Sequence, residues 1–220
     1  MNLEALSQFL IELQHNNAKP WFDANRARYQ TLRLEFIDLL AEIINSLGRS
    51  DSSVAGVVAK DCVFRINRDV RFSNNKDPYK TNFSAAISPG GRHSSLPLYY
   101  LQLGTEGPGG GSMVAGGLYF PEPPQLASIR TFIARHPKDA EVLLADKTLL
   151  EAFGGLGTEG VLSRLPKGFT EGPDLLRYKS FTVSAALDLG GLDGPALVTQ
   201  IVSRCEQMQP LHAWLSRAIT

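Results

Sequence analysis

The chain has 220 residues, 43% of them hydrophobic, and 22 basic side chains balance 22 acidic ones to a formal net charge of zero. This length suits one large domain or two small ones and allows most of the apolar surface to be buried. The balanced charge argues against broad electrostatic capture of nucleic acid or of an anionic membrane, because dedicated binders are usually strongly basic.

The amino-terminal segment MNLEALSQFLIELQ predicts an amphipathic helix over residues 3–13, with leucines and Phe9 on one face. It carries two glutamates and lacks the basic residues that open a signal peptide. No apolar run approaches the ~18 residues of a membrane helix. Cys62 and Cys205 lie far apart in apolar contexts, which is typical of buried thiols in a reducing compartment. We therefore expect a soluble cytoplasmic protein with no membrane partner.

Two further helices follow. Asn16 or Asn17 is predicted to cap a helix that contains Pro20, because an asparagine side chain can accept from free amide groups in the first turn. A long helix with a regular apolar period follows from Leu32, and Gly48 is a natural end for it.

Strand patterns fill the middle of the chain. Residues 63–72 alternate between apolar and polar side chains, which predicts a strand with one solvated face. Residues 83–88 and 179–188 are further strand candidates, and 96–104 and 112–120 are predicted to form a hairpin. The EGPGGGS link of that hairpin lacks P-loop spacing, and it precedes a strand rather than a helix, so we interpret it as a turn.

Helical patterns return in the last half, opened by Pro124, Pro137 and Pro195, with Asp193 as a candidate cap and a short final helix after Pro210. Helices at both ends around consecutive strands predict a single α+β domain over residues 1–220. Its sheet is expected to be mostly antiparallel, with about four to six strands.

The segment FRINRDVRFSNNKDPYKTN (64–82) holds five basic side chains against two acidic ones and so has a net charge of +3. Arg68 falls on the apolar parity of the predicted strand, where a guanidinium needs an acid, several carbonyls or a bound anion. The functional interpretation is a cleft that binds a phosphate or carboxylate group, because arginine and lysine supply the donors for it. The alternative is a solvated face whose arginines and aspartates pair with each other. The predicted ligand-binding residues are Arg65, Arg68, Arg71, Lys76, Lys80 and, from the RYKS segment, Lys179.

Candidate acid–base residues are Asp69, Tyr119 and Glu122. The structural alternative for GGLYFPEP makes Tyr119 a half-buried strand aromatic and places Glu122 just before a helix N-terminus. The histidines are scattered without zinc spacing, and no dinucleotide fingerprint or nucleophile elbow occurs, so no metal and no cofactor are expected.

Five segments of the chain carry distinctive motifs: HNNAKPWFDANRARY (15–29), FRINRDVRFSNNKDPYKTNF (64–83), GGLYFPEP (116–123), RLPKGF (164–169) and RYKSF (177–181). Together they resemble the bacterial and fungal family called the domain of unknown function 2461. The resemblance implies no activity, but it indicates the positions that carry the family's motifs. These positions are Asn17, Trp21, Phe22, Arg65, Arg68, Asp69, Arg71, Phe72, Lys76, Pro78, Tyr79, Lys80, Gly117, Tyr119, Glu122, Lys179 and Ser180. Phe120 and the long GPGGG loop depart from the family's pattern.

The first hypothesis is therefore an anion-binding cleft built from residues 64–82, with or without catalysis. The second is a non-catalytic interaction module that docks an acidic protein partner. A third, a surface that follows a nucleic-acid phosphate backbone with Phe72 and Tyr79 stacking on bases, is disfavoured by the neutral pI of about 6.9. The sequence decides neither enzyme status nor oligomeric state.

Overall fold

A computed structural model describes residues 1–105, 110–192 and 194–219. Within these residues the helices are α1 (Leu3–His15), α2 (Lys19–Ala24), α3 (Arg26–Leu47), α4 (Ala59–Cys62), α5 (Pro123–Arg135), α6 (Pro137–Leu144), α7 (Lys147–Phe153), α8 (Gly194–Glu206) and α9 (Gln209–Ala218). The strands are β1 (Asn82–Ile87), β2 (Leu98–Gly104), β3 (Met113–Leu118) and β4 (Phe181–Ala186). Asp193, the predicted helix cap, lies outside the described residues. So do residues 106–109, the first part of the predicted EGPGGGS turn.

The four strands of the described chain form one antiparallel sheet in the order β1-β2-β3-β4. Its register is continuous across the sheet, from Ala85 opposite Leu101 to Val114 opposite Ala185. The predicted α+β class, the strand count and the hairpin between β2 and β3 are therefore confirmed.

Period-two alternation gives the sheet one apolar face, which the helices cover. Phe83, Leu101, Val114 and Val183 are buried on this face. Helices α3, α8 and α9 pack against the strands there, and α3 also packs against α8, because each presents an apolar stripe of the kind that the sequence predicted. The opposite face bears shorter or more polar side chains, including Ala86, Ala115 and Ser184.

Irregular segments pair with both outer strands of the sheet. At the β1 edge the Phe64 amide donates to the Ser84 carbonyl at 2.9 Å. At the β4 edge the Gly157 amide donates to the Thr182 carbonyl at 2.8 Å. Each edge strand thus has a backbone partner on its outer side.

The prediction of a strand over 63–72 is wrong. The chain touches the sheet edge through an isolated bridge between Val63 and Ala85, and then leaves it. Residues 66–80 fold back on themselves into an irregular loop that we call the basic hairpin. Its arms are joined by a bridge between Asn67 and Tyr79 and by amide–carbonyl bonds such as Lys80 to Ile66 at 2.8 Å.

In the basic hairpin the alternation of apolar and polar residues no longer predicts which side chains are buried, because no sheet lies beneath the turn. Phe64 and Ile66, which are still close to β1, are half-buried and buried, as a strand requires. Phe72 has the same parity but lies at the hairpin tip, where 96% of its surface is exposed.

The predicted asparagine cap of the second helix is also wrong. Ala18 occupies the N-cap of α2 and contributes no side-chain hydrogen bond. Asn17 points instead to the basic hairpin, as described below. Both cysteines are free and buried, as predicted. Among the described residues, no helix combines the length and the apolar character needed to cross a membrane.

Candidate functional site

Asn17 fixes the returning arm of the basic hairpin to the helical layer. Its side-chain amide donates to the Tyr79 carbonyl at 3.0 Å, and its oxygen accepts from the Tyr79 amide at 3.0 Å. The Tyr79 ring is buried and stacks on Phe22 of α2, with the ring centroids 4.1 Å apart. The HNNAKPWF and DPYKTN segments are therefore two halves of one structural unit.

Arg68 connects the two arms of the basic hairpin. Its Nη1 donates to the Asp77 carbonyl at 2.9 Å, and its Nη2 donates to the Ser73 hydroxyl at 3.3 Å. A carbonyl and a hydroxyl thus satisfy part of the half-buried guanidinium, without an acid. A guanidinium has five N–H donors, so these two hydrogen bonds use only part of the donor capacity of Arg68.

The basic hairpin, the end of α1 and the start of β1 enclose a cavity of about 380 Å³, which we call the polar pocket. The residues that line it are Gln14, Asn17, Arg68, Asn75, Asp77, Tyr79, Lys80, Thr81 and Asn82. Two of the predicted ligand-binding residues, Arg68 and Lys80, meet here. One acid, Asp77, shares the lining with them, so the pocket is polar and has an excess of positive charge.

Lys80 is the least compensated cation of the polar pocket. Its side chain is half-buried, and its Nζ lies 5.2 Å from the centre of the Phe64 ring. It forms no ion pair with a carboxylate in the part of the chain that the structure describes. Burial, together with the nearby positive charge of Arg65, lowers the pKa of Lys80. A bound anion would relieve both effects.

The other cations of the 64–82 segment lie outside the polar pocket. Arg71 makes a two-pronged ion pair with Asp69, with Nε–Oδ1 at 2.9 Å and Nη2–Oδ2 at 2.7 Å, and both side chains are exposed. Lys76 donates to the Val70 carbonyl at 3.1 Å, and Arg65 is exposed. Arg71 and Asp69 thus behave as the alternative interpretation expected, by pairing with each other.

Asp69 is fully engaged as an ion-pair partner. Its hydrogen bonds from the Arg71 side chain, more than any other influence, lower the pKa of its carboxyl group. An ionised carboxylate already held by a guanidinium is a weak base, which argues against the acid–base role considered for Asp69.

Lys179 lies at the opposite end of the sheet from the basic hairpin. It precedes β4, whereas the hairpin joins β1, and the four strands run in the order β1-β2-β3-β4. With neighbouring strands ~4.8 Å apart, the two edge strands are separated by roughly 14 Å. The structure therefore does not bring Lys179 into the polar pocket.

Tyr119 and Glu122 stand near each other in sequence, yet the partner of Tyr119 is a third residue. Tyr119 lies just beyond β3, is 61% exposed, and donates through its hydroxyl to Oε1 of Glu159 at 3.1 Å. Partial desolvation and this hydrogen bond raise the pKa of Tyr119. Glu122 is the exposed N-cap of α5, as the structural alternative proposed, without a side-chain capping bond.

Arg68→Ala is expected to lower the free energy of unfolding by about 2 kcal/mol, because it removes two hydrogen bonds from a charged donor. Arg71→Ala should leave it essentially unchanged, because exposed ion pairs contribute little. Urea unfolding followed by circular dichroism would measure both. Equal losses in the two variants would show that Arg68 does not hold the hairpin together.

Within residues 1–105, 110–192 and 194–219, no three histidine, cysteine, aspartate or glutamate side chains are grouped so that they could hold a metal ion. Fold and site together define an α+β domain with an antiparallel meander and a cation-lined pocket at one sheet edge. The chain belongs to the DUF2461 family, described as conserved hypothetical protein, whose model matches residues 5–214. This confirms the resemblance seen in the sequence. Searches of curated proteins and of solved structures find no match.

Proposed function

We propose that this protein binds a small molecule through a phosphate or carboxylate group in the polar pocket. The observation that carries the proposal is Lys80, a half-buried cation beside a second cation and without an acidic partner in the described chain. Burying such a charge costs free energy unless it is compensated. An anionic ligand supplies that compensation.

The chemistry of the lining suits this task. Lys80 provides a mobile point charge, and Arg68 provides the N–H groups that the hairpin leaves unused. Gln14 and Thr81 add neutral donors at the rim. Because Asn17 and Phe22 fix the hairpin to α1 and α2, these groups are largely positioned before a ligand arrives, which reduces the entropy lost on binding.

The tip of the basic hairpin supports a second candidate, the interaction module. Phe72 is almost fully exposed, and the Arg71 guanidinium lies 5.7 Å from its ring centre. Aromatic side chains and arginine are enriched in protein–protein interfaces, and the charge of an arginine complements an acidic partner. This candidate does not require the polar pocket, so variants of Lys80 separate the two.

Lys80→Gln is expected to weaken anion binding at least about tenfold, because the glutamine keeps the side chain polar but removes its charge. Inorganic phosphate, sulfate, glucose 6-phosphate and citrate would be screened by thermal shift and then by titration calorimetry. A ligand at a hundred times its Kd should add about 2.7 kcal/mol to the free energy of unfolding. For a chain of this size, that raises the Tm by roughly 5–10 °C.

Lys179→Gln is the matched control, since Lys179 is also half-buried but lies at the other sheet edge. It should bind the anion like the unchanged protein. If Lys80→Gln binds equally well, or if no anion shifts the Tm, the polar pocket is not an anion site and the hairpin tip becomes the better candidate.

A further inference from the structure

The sheet face turned away from the core carries a second cavity, of about 430 Å³, which we call the sheet groove. Its floor is made of small residues of β1 and β3: Ala86, Ala115 and Gly117. Taller side chains, Tyr100 and Met113 among them, form its walls. Small-molecule sites are commonly clefts of about 300–1,000 Å³ with a mostly apolar lining and a few placed polar groups.

The polar group of the sheet groove is the pair formed by Tyr119 and Glu159 at the β4 end. The Tyr119 hydroxyl donates one hydrogen bond to Oε1 of Glu159. A carboxylate can accept several hydrogen bonds, so Glu159 can accept more than this one. Glu159 forms no ion pair with any described residue, and among the described residues that line the groove it is the charged one. The groove therefore offers a negative charge to whatever it binds.

The opposite end of the sheet groove is aromatic. Phe64 lies there, 6.3 Å from the Tyr100 ring, and the Lys80 ammonium that approaches the Phe64 ring belongs to the lining of the polar pocket. The ammonium of Lys80 lies behind the Phe64 end, and the carboxylate of Glu159 lies at the other end, so the two ends of the groove differ in charge. A positively charged ligand group is repelled from the Phe64 end and attracted to the Glu159 end.

Local backbone geometry fixes the Tyr119 end. Phe120 has a φ of 45°, a left-handed conformation that a bulky residue rarely adopts. Its ring fills the space beside Gly160, where an added Cβ would lie 2.9 Å from a ring carbon. Strain of this kind persists only where the surroundings impose it, and it often accompanies a binding site. Here the contact between the Phe120 ring and Gly160 joins the two segments that carry Tyr119 and Glu159.

We propose that the sheet groove binds a small organic cation, an amine with an apolar body. The body lies over Ala115 and Gly117, and the ammonium reaches Glu159 with the Tyr119 ring beside it, where both an ion pair and a cation–π contact contribute. This site is separate from the polar pocket and does not depend on the anion proposed there.

Three probes of nearly equal size test the proposal: phenethylamine, 2-phenylethanol and phenylacetate, which differ in the charge at the end of the chain. Each would be titrated at millimolar concentration into ¹⁵N-labelled protein, with the amides of Ala115, Thr182 and Ser184 as reporters. The amine is expected to bind about tenfold more tightly than the alcohol, and the acid more weakly than both.

Glu159→Gln should reduce the affinity for phenethylamine to that for 2-phenylethanol. The control is Glu151→Gln, at an exposed position of α7, which should leave the affinities for both probes unchanged. Ala115→Leu fills the floor of the groove and should abolish binding of all three probes in a protein that still folds. Equal affinities for amine and alcohol, an amine preference that survives Glu159→Gln, or no response of the reporter amides would each overturn the proposal. The anion titrations with Lys80→Gln are independent of every one of these outcomes.

Discussion

Gly117→Ala is expected to remove most or all of the stability of the fold. Gly117 has a φ of 114°, and a Cβ at this position would lie 2.0 Å from the Phe181 carbonyl oxygen. That oxygen is part of the backbone of β4, which is paired with β3 on either side of the contact. Neither strand can move away without breaking the pairing. We expect a loss of about 4 kcal/mol or more, against a typical total of about 5–15 kcal/mol.

Gly56→Ala is the control that introduces the strain of a left-handed alanine without the steric clash expected at Gly117. Gly56 has a φ of 78°, yet no atom lies within 4 Å of the added Cβ. It should cost only about 1–2 kcal/mol, the usual difference for alanine in a left-handed conformation. Urea unfolding monitored by circular dichroism compares the two variants. Similar losses in both would mean that the close approach of β3 and β4 at Gly117 is not a constraint on the sheet.

Acidification is expected to destabilise the protein through His212 of α9. The His212 ring is buried, with its centre 4.2 Å from that of Tyr99, and its Nε2 has no hydrogen-bond partner in the described chain. Burial lowers the pKa of His212 from 6.5 to about 4, although Asp51 and the Leu98 carbonyl oppose the shift. The Tyr99 hydroxyl donates to Asp51 at 2.7 Å, so this carboxylate is already engaged.

The direction of this pH effect follows from the number of protons that His212 binds in the folded and the unfolded chain. Between pH 6.5 and about 4, His212 is protonated in the unfolded chain and neutral in the folded one, so stability falls as the pH falls through this window. The full effect is roughly 3 kcal/mol at 1.36 kcal/mol per pKa unit.

His212→Gln should flatten this pH dependence above about pH 5, where most carboxylates do not titrate, and His93→Gln, at an exposed position, should preserve it. Urea unfolding at a series of pH values gives the slopes. An unchanged slope in His212→Gln would assign the effect to other groups.

The regular elements of this fold follow from local patterns, and the sequence predicts them well. The long helix α3 shows the 3.6-residue period that one buried face imposes, and short, mainly apolar runs mark β1 to β4, so local patterns locate them. The same rule fails for 63–72, because alternation reports a pleated backbone only where a sheet continues beneath it. After Ile66 the chain leaves the sheet, and the side chains of Asp69 and Arg71 turn towards each other instead.

The candidate sites are less predictable because their contacts join distant parts of the chain. Asn17 and Tyr79 are 62 residues apart, and no local pattern links them. Glu159 lies in an irregular stretch between α7 and β4, where neither helical nor strand periodicity marks it. The sequence singled out the cations as candidate ligand-binding residues, but only the fold separates Arg68 and Lys80 from Lys179.

The partners on the outer sides of β1 and β4 determine how this protein can associate. The amides of Phe64 and Gly157 donate hydrogen bonds to the Ser84 and Thr182 carbonyls, which an exposed edge strand would present to a neighbouring chain. A second molecule therefore cannot extend the sheet by strand addition at these points without first displacing them. Uncontrolled β-pairing between copies through these two edges is disfavoured as a consequence.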